Sequence, residues 1–96
     1  MVKVKEFVGI DISKLTFDVA SPTGERHYKH SKYENCKAGF ISLKETLSSD
    51  CICVMEASGP YYMGLANYLY GEGIEVRVVN PLAVKHFSRM RMTRAK

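Results

Sequence analysis

Two acidic residues each follow a short apolar run, and this pair is the strongest indication of chemistry in the sequence. Asp11 comes directly after Val8-Gly9-Ile10, and Glu56 comes directly after Val54-Met55. Carboxylates next to buried strands need a partner, because burial of an unpaired charge is costly. Two like charges ~4 Å apart repel by roughly 4 kcal/mol at an effective dielectric of about 20. A divalent cation removes this repulsion, so the pattern predicts a Mg²⁺ site with Asp11 and Glu56 as ligands.

This metal site requires the two preceding strands to be parallel neighbours in one sheet. Residues 4–10 are predicted to form a strand in which Phe7, Val8 and Ile10 are nearly continuous, and residues 51–55 are a short continuous apolar run. Both patterns are typical of strands covered on both faces. Open α/β sheets bind their ligands at the carboxyl ends of their strands. If these two strands pair, Asp11 and Glu56 lie at the same edge of the sheet.

A hairpin is expected directly after the first strand. Residues 15–20 alternate in a way that predicts a second strand. One face of this strand carries Leu15, Phe17 and Val19, and the other carries Thr16, Asp18 and Ala20. Asp18 lies on the opposite face and is expected to be a surface residue, not a ligand. Residues 21–24 have the composition of a turn. After this turn the chain is predicted to return as a polar edge strand.

Helices and strands then alternate along the chain. Asn35 is a suitable N-cap for a first helix, and Pro60 suits the first helical position of a second. Residues 74–79 are predicted to form a strand, and Asn80-Pro81 repeats the cap-plus-proline start for a third helix. The order β-β-β-α-β-α-β-α predicts an α/β fold that resembles ribonuclease H. It has a mixed five-stranded sheet, strand order 3-2-1-4-5 and helices on both faces, and residues 1–96 suffice for one such domain.

Charge is unevenly distributed along the chain. Residues 1–75 contain ten acidic and eight basic residues, a net charge of −2, whereas residues 76–96 carry +6 with no acidic residue. Such a basic end predicts a polyanionic partner, and a solvated helix face is the alternative. Lys14, close after Asp11, either positions a phosphate or is a solvated turn residue. The candidate nucleic-acid contacts are Lys14, Lys85, Arg89, Arg91, Arg94 and Lys96.

The cysteines and the apolar segments exclude several classes of function. Cys51 and Cys53 form a Cys-x-Cys pair, which has too few ligands for a zinc site, so buried reduced thiols are the simpler interpretation for the chain's three cysteines. No apolar run is long enough to span a bilayer, and the N-terminus lacks the apolar region of a signal peptide. A cytoplasmic protein without a membrane partner is therefore predicted.

Four motifs occur in a fixed order along essentially the whole chain. They are Val-Gly-Ile-Asp11-Ile-Ser-Lys14, Phe17-Asp-Val-Ala20, Val-Met-Glu56-Ala-Ser-Gly59-Pro-Tyr and Val-Val-Asn80-Pro81. Together they resemble the N-terminal part of the insertion-sequence-110/116/902-type transposases, which are related to the Piv DNA invertases. The resemblance implies a RuvC-like domain with an Asp-Glu-Asp-Asp tetrad, in which Asp11 is the first acid and Glu56 the second. The last two acids are expected in a motif beyond Lys96, so the domain is expected to stop before its site is complete.

The chemistry that this resemblance implies is Mg²⁺-dependent cleavage and joining of DNA strands in the full protein. Two metal ions would there clamp the attacking and leaving oxygens of a phosphodiester. With two of four acids, the chain is expected to bind Mg²⁺ weakly or not at all and to be inactive alone. The implied partners are DNA and, as in some family members, a structured guide RNA, while a homo-oligomer is an open alternative.

Two other functions are compatible with the same strand order. The nucleotide-binding domain of actin and sugar kinases also begins its first hairpin with Gly-x-Asp, but the bulky Ile12 after the acid is expected to crowd a phosphate. The other alternative is a metal-free, nucleic-acid-binding scaffold of ribonuclease-H-like fold. In that scaffold Asp11 and Glu56 would stabilise helix starts or bind backbone amides.

Overall fold

Five strands form one mixed sheet in the order β3-β2-β1-β4-β5. The computed structural model describes residues 6–24, 27–57 and 59–80. β1 pairs antiparallel with β2 and parallel with β4, and β5 extends the parallel part. The predicted strand order and α/β class are confirmed. The elements are β1 Glu6–Ile12, β2 Thr16–Gly24, β3 His27–Glu34, α1 Lys37–Thr46, β4 Cys51–Glu56, a 3-10 helix Pro60–Tyr62, α2 Met63–Gly71 and β5 Glu75–Val79.

The hydrophobic core lies on one face of the sheet, where alternate residues of the strands meet buried leucines of both described helices. Its buried members are Val8, Ile10, Ile12, Phe17, Val19, Leu43, Cys51, Cys53, Met55, Leu65, Leu69 and Ile74. No helix in the described part of the chain is long and apolar enough to cross a membrane. The predicted third helix falls outside the described residues, so helices on both faces remain a prediction.

Phe17 connects the hairpin to the helices. Its side chain is fully buried and stacks on Tyr33 of β3, with ring centroids 5.4 Å apart. It also meets Phe40 of α1 at 6.1 Å, and Phe40 in turn contacts Tyr68 of α2 at 5.8 Å. Aromatic pairs at these distances add to the stabilisation that burial alone provides. The row of rings therefore holds β2, β3, α1 and α2 together.

Leu15 does not share the core face with Phe17, contrary to the prediction from alternation. It is 74% exposed and lies in the turn between β1 and β2. In this turn the Ser13 backbone N–H and hydroxyl both donate to the Thr16 carbonyl oxygen, at 2.8 and 2.9 Å. β2 begins only at Thr16, so the period of two does not extend back to Leu15.

The β2–β3 hairpin is also longer than its turn residues indicate. Pro22 pairs with Tyr28 and Gly24 with His27, with a register shift between Pro22 and Gly24. The predicted turn at residues 21–24 is therefore wrong, and β2 continues through it. Proline is tolerated there because the pairing of β1 with β2 extends only to Ala20, which leaves that edge of β2 free of a ladder to β1.

The three cysteines are free thiols in two different environments. Cys51 and Cys53 are buried, whereas Cys36 is exposed, so the expectation of buried thiols is wrong for Cys36. Burial raises the pKa of Cys53 to about 12, and it also raises the pKa of Cys51. Both thiols of β4 therefore stay protonated at neutral pH and are poor metal ligands and nucleophiles.

Thiol reactivity should separate these environments. Because the thiolate is the reactive form, we expect the native protein to react rapidly at Cys36, and Cys51 and Cys53 to react only in denaturant. A colorimetric thiol titration with and without guanidinium measures this difference. The Cys36→Ser variant should be unreactive when native, and rapid native labelling of that variant would contradict the buried placement.

A matched pair of phenylalanines tests where the core lies. We expect Phe17→Ala to lower the free energy of unfolding by about 3–5 kcal/mol, because it leaves a cavity among β2, β3 and α1. Phe7 is 56% exposed on the other face, and Phe7→Ala should cost less than about 1 kcal/mol. Urea unfolding followed by circular dichroism measures both values. Equal losses in the two variants would contradict a core confined to the helix side.

Candidate metal centre

Asp11 and Glu56 lie side by side at the carboxyl edge of two parallel strands. Ile10 of β1 is in register with Met55 of β4, and the two acids are the next residues of these strands. Neighbouring strands are about 4.8 Å apart, and residues in register point to the same face of the sheet. The structure therefore brings the two predicted ligands together, while their role as metal ligands stays a prediction.

Strand alternation determines which face the two acids occupy. Ile10 and Ile12 are buried in the core, so Asp11 between them points to the opposite face and is exposed. Met55 is buried in the core as well, and Glu56 after it is half-buried on the opposite face. The two carboxylates thus lie on the side of the sheet away from α1 and α2.

A cavity of about 370 Å³ lies over this part of the sheet. Large side chains do not fill its floor at Gly9 and Ala20, which pair with each other across β1 and β2 and carry little or no side chain. A Cβ at Gly9 would meet nothing within 4 Å, so neighbouring atoms do not require glycine there. The polar groups at the cavity come from the residues Asp11, Asp18, His30 and Glu56.

Asp18 is closer to the site than its sequence position indicates. It pairs directly with Asp11 in the β1–β2 ladder and lines the same cavity. Its exposure agrees with the predicted surface position, and its carboxylate lies 3.9 Å from the Lys32 ammonium of β3. The signal that would have revealed this neighbour is the hairpin register, since a turn at residues 13–15 places residue 18 opposite residue 11.

The oxygen donors of this edge suit a hard cation but do not complete its coordination. Mg²⁺ takes about six oxygen ligands and usually keeps several waters. Neither the Asp11 nor the Glu56 carboxylate has a hydrogen bond or ion pair to another described residue, so both can accept a cation. Among the residues that the structure describes, no group of three or more His, Cys, Asp or Glu is placed to hold a metal ion. The pair therefore fits part of a Mg²⁺ shell.

Comparison with known proteins identifies the family. Residues 8–96 match the DEDD family of insertion-sequence-110 type, described as transposase. The chain belongs to this transposase family. It is 30% identical to a pilin gene-inverting protein of Moraxella lacunata and 28% identical to one of Moraxella bovis, in each case over 96% of this chain. The chain spans 30% of the length of these two relatives.

Similarity to solved structures is weaker. An exopolyphosphatase from Cytophaga hutchinsonii superposes with a TM-score of 0.42 and 18% identity, over 79% of this chain and 34% of that one. This similarity is too low to support an argument about function.

The predicted transposase resemblance is confirmed by the family match and by the two curated relatives.

The side chain of Ile12 lies outside the cavity, contrary to the prediction for it. This side chain was expected to crowd a phosphate bound at the first hairpin. It is 7% exposed and lies in the core, so it points away from the cavity and crowds nothing there. The transposase match over residues 8–96, not the size of Ile12, is what weighs against a kinase-like nucleotide site.

The structure describes one of the six candidate nucleic-acid contacts, Lys14. Lys14 is exposed in the turn that follows β1, three residues after Asp11. It therefore lies near the same edge of the sheet as the two acids. Another basic residue, Arg77 of β5, forms an ion pair with Glu75, in which the guanidinium Nη2 lies 2.9 Å from the carboxylate Oε2. The contacts Lys85, Arg89, Arg91, Arg94 and Lys96 lie outside the described residues.

The electrostatics of this edge can be tested without a metal. Asp11 has Glu56 on one neighbouring strand and Asp18 on the other, and like charges across strands are destabilising by roughly 0.2–1 kcal/mol per pair. We therefore expect Asp11→Asn to stabilise the protein by about this amount in low-salt buffer without divalent ions. Urea titration measures the change.

A charge-matched control accompanies this measurement. Glu45→Gln on α1 removes the same charge from an exposed position away from the site and should change stability by less than about 0.5 kcal/mol. If Asp11→Asn destabilises the metal-free protein relative to Glu45→Gln, the two carboxylates do not repel each other in the folded state.

Proposed function

We propose that this chain is the N-terminal catalytic domain of a DNA transposase or recombinase, in which Asp11 and Glu56 bind Mg²⁺ for strand cleavage and joining. The observation that carries the proposal is the placement of the two acids, each one residue beyond the last pair of the neighbouring parallel strands β1 and β4 and on the face away from the core. Structural ion pairs do not explain them, because neither carboxylate has a basic partner among the described residues. The metal-free scaffold would use these acids to bind backbone amides or to stabilise helix starts, and neither carboxylate accepts a hydrogen bond from a described residue.

Each group of the site has a definite task in this proposal. The carboxylate oxygens of Asp11 and Glu56 hold the cation at the sheet edge. When bound, Mg²⁺ supplies charge stabilisation at a phosphodiester and lowers the pKa of an attacking hydroxyl. The small residues Gly9 and Ala20 leave room for a DNA backbone to approach the acids. Lys14, at the same edge, neutralises a phosphate of the DNA backbone, a contact that does not depend on the base sequence.

DNA as the substrate is supported by the family and by the names of the relatives. Both curated relatives are named for inverting a pilin gene, which is a rearrangement of DNA. The segment at residues 76–96 has six basic residues and no acidic one, and its positive charge is attracted to the DNA phosphates. A DNA substrate also implies a cytoplasmic location. The guide RNA and the homo-oligomer stay predictions.

We expect the 96-residue chain to bind Mg²⁺ in the millimolar range and not to nick DNA. Two carboxylates give a weak oxygen site, and the family resemblance implies two further acids for catalysis. Amide resonances at the ends of β1 and β4 should shift on Mg²⁺ addition, Asp11→Asn should abolish the shifts, and Glu45→Gln should retain them. A supercoiled-plasmid assay checks nicking. Mg²⁺-dependent nicking that Asp11→Asn abolishes would show that two acids suffice.

The basic end is expected to give weak, sequence-independent DNA binding. Phosphate contacts release counterions, so the logarithm of the binding constant should fall with the logarithm of salt with a slope of about −0.9 per phosphate contact. Fluorescence anisotropy with duplex DNA at several salt concentrations measures affinity and slope. Replacement of Arg89, Arg91 and Arg94 by alanine should weaken binding and flatten the slope. If both are unchanged, this segment is not a DNA contact.

A further inference from the structure

The side chain of Asn35 bridges the two backbone segments that follow the acids. Its Nδ2 donates to the Ser13 carbonyl oxygen at 3.0 Å and to the Tyr61 carbonyl oxygen at 3.1 Å. Ser13 is two residues after Asp11, and Tyr61 is five residues after Glu56. A primary amide has two N–H donors, so this side chain uses its full donor capacity on the two segments.

This use of Asn35 differs from the predicted helix cap. The N-cap of α1 is Cys36, and no side chain caps this helix end. Asn35 is itself held in place, since its backbone N–H donates to the Leu15 carbonyl oxygen at 2.8 Å. Nearby, α1 packs so closely on the end of β3 that a Cβ at Gly39 would overlap the Glu34 carbonyl oxygen. Residue 35 is thus a fixed point between β3 and α1.

The bridge acts beyond the last residue pair between β1 and β4, while Asp11 is still paired with Asp18 of β2 and Glu56 with Val79 of β5. The register of β1 with β4 extends to Ile10 and Met55, and Asp11 and Glu56 come next. Beyond Glu56, the Ala57 N–H donates to the Val79 carbonyl oxygen at 3.0 Å, which ties this segment to β5 and not to β1. Among the hydrogen bonds of the described residues, those of Asn35 connect the segment after Asp11 to the segment after Glu56.

We propose that Asn35 is a positioning residue for the metal centre. It holds the backbone after Asp11 against the backbone after Glu56, and thereby adds to the constraint that the sheet places on the spacing of the two carboxylates. This inference rests on the proposed metal-binding function. Residues that orient metal ligands without touching the metal typically change its affinity about 10–100-fold when mutated. A residue with a merely structural role would change stability and leave the Mg²⁺ affinity of the folded protein unaltered.

The experiment compares Asn35→Ala with Asn67→Ala. Asn67 is an exposed residue of α2 and has no side-chain hydrogen bond to a described residue, so it controls for the loss of an amide. Two quantities are measured at a temperature where both variants are folded. The first is amide hydrogen exchange without metal in residues 13–16 and 59–63. The second is the Mg²⁺ dissociation constant from amide shifts at Asp11 and Glu56.

We expect Asn35→Ala to speed exchange in both segments and to weaken Mg²⁺ binding about tenfold, with Asn67→Ala like the wild type. If Asn35→Ala does not fold, Asn35→Gln, which keeps both donors but displaces them, should show the same pattern. Wild-type Mg²⁺ affinity in the folded variant, or faster exchange in one segment alone, would overturn the positioning role. If the wild type itself shows no Mg²⁺ response, the proposed metal site fails, and the exchange data alone decide whether Asn35 couples the segments.

Discussion

The parallel pairing of β1 with β4 is the constraint on which the arrangement of this domain depends. It places Ile10 beside Met55, and the alternation of each strand then puts the next residues, Asp11 and Glu56, on the opposite face. A shift of one residue in either strand would turn that strand's acid into the core and its apolar residues into solvent. The same hydrophobic pattern that specifies the fold therefore specifies the geometry of the candidate site.

The acids are kept apart from the interactions that stabilise the fold. The core occupies the helix side of the sheet, where Phe17 and the leucines of α1 and α2 are buried, and no described polar or charged residue is buried. Repulsion among Asp11, Glu56 and Asp18 therefore acts in a solvated region of higher dielectric, where it costs less than it would in the core. The fold tolerates such a cost because most of its buried core lies on the opposite face.

The features predicted correctly from the sequence are those that local pattern determines. Apolar runs identified β1 and β4 as strands, although β1 alternates between exposed and buried residues and is not covered on both faces as expected. Pro60 begins a 3-10 helix that leads into α2, where a first position of the α-helix itself was predicted. Where local signals conflicted with tertiary pairing, pairing prevailed. Leu15 has the period of β2 but lies in a turn, and residues 21–24 have a turn composition but continue a strand. Propensity is a weak prior in such cases, since ladder hydrogen bonds and burial outweigh it.

Contacts between distant residues account for what the sequence did not reveal about the site. Asp18 becomes a neighbour of Asp11 only through the hairpin register, and Asn35 reaches carbonyl oxygens 22 and 26 residues away. Its position just before α1 is typical of a helix cap. An asparagine at this position has the same sequence context whether its amide caps the helix or bridges two loops. The distinction lies in where the acceptors are. A carboxylate pair can thus be found from its strands, whereas the hydrogen bonds of Asn35 emerge only when the loops beyond those strands are placed in space.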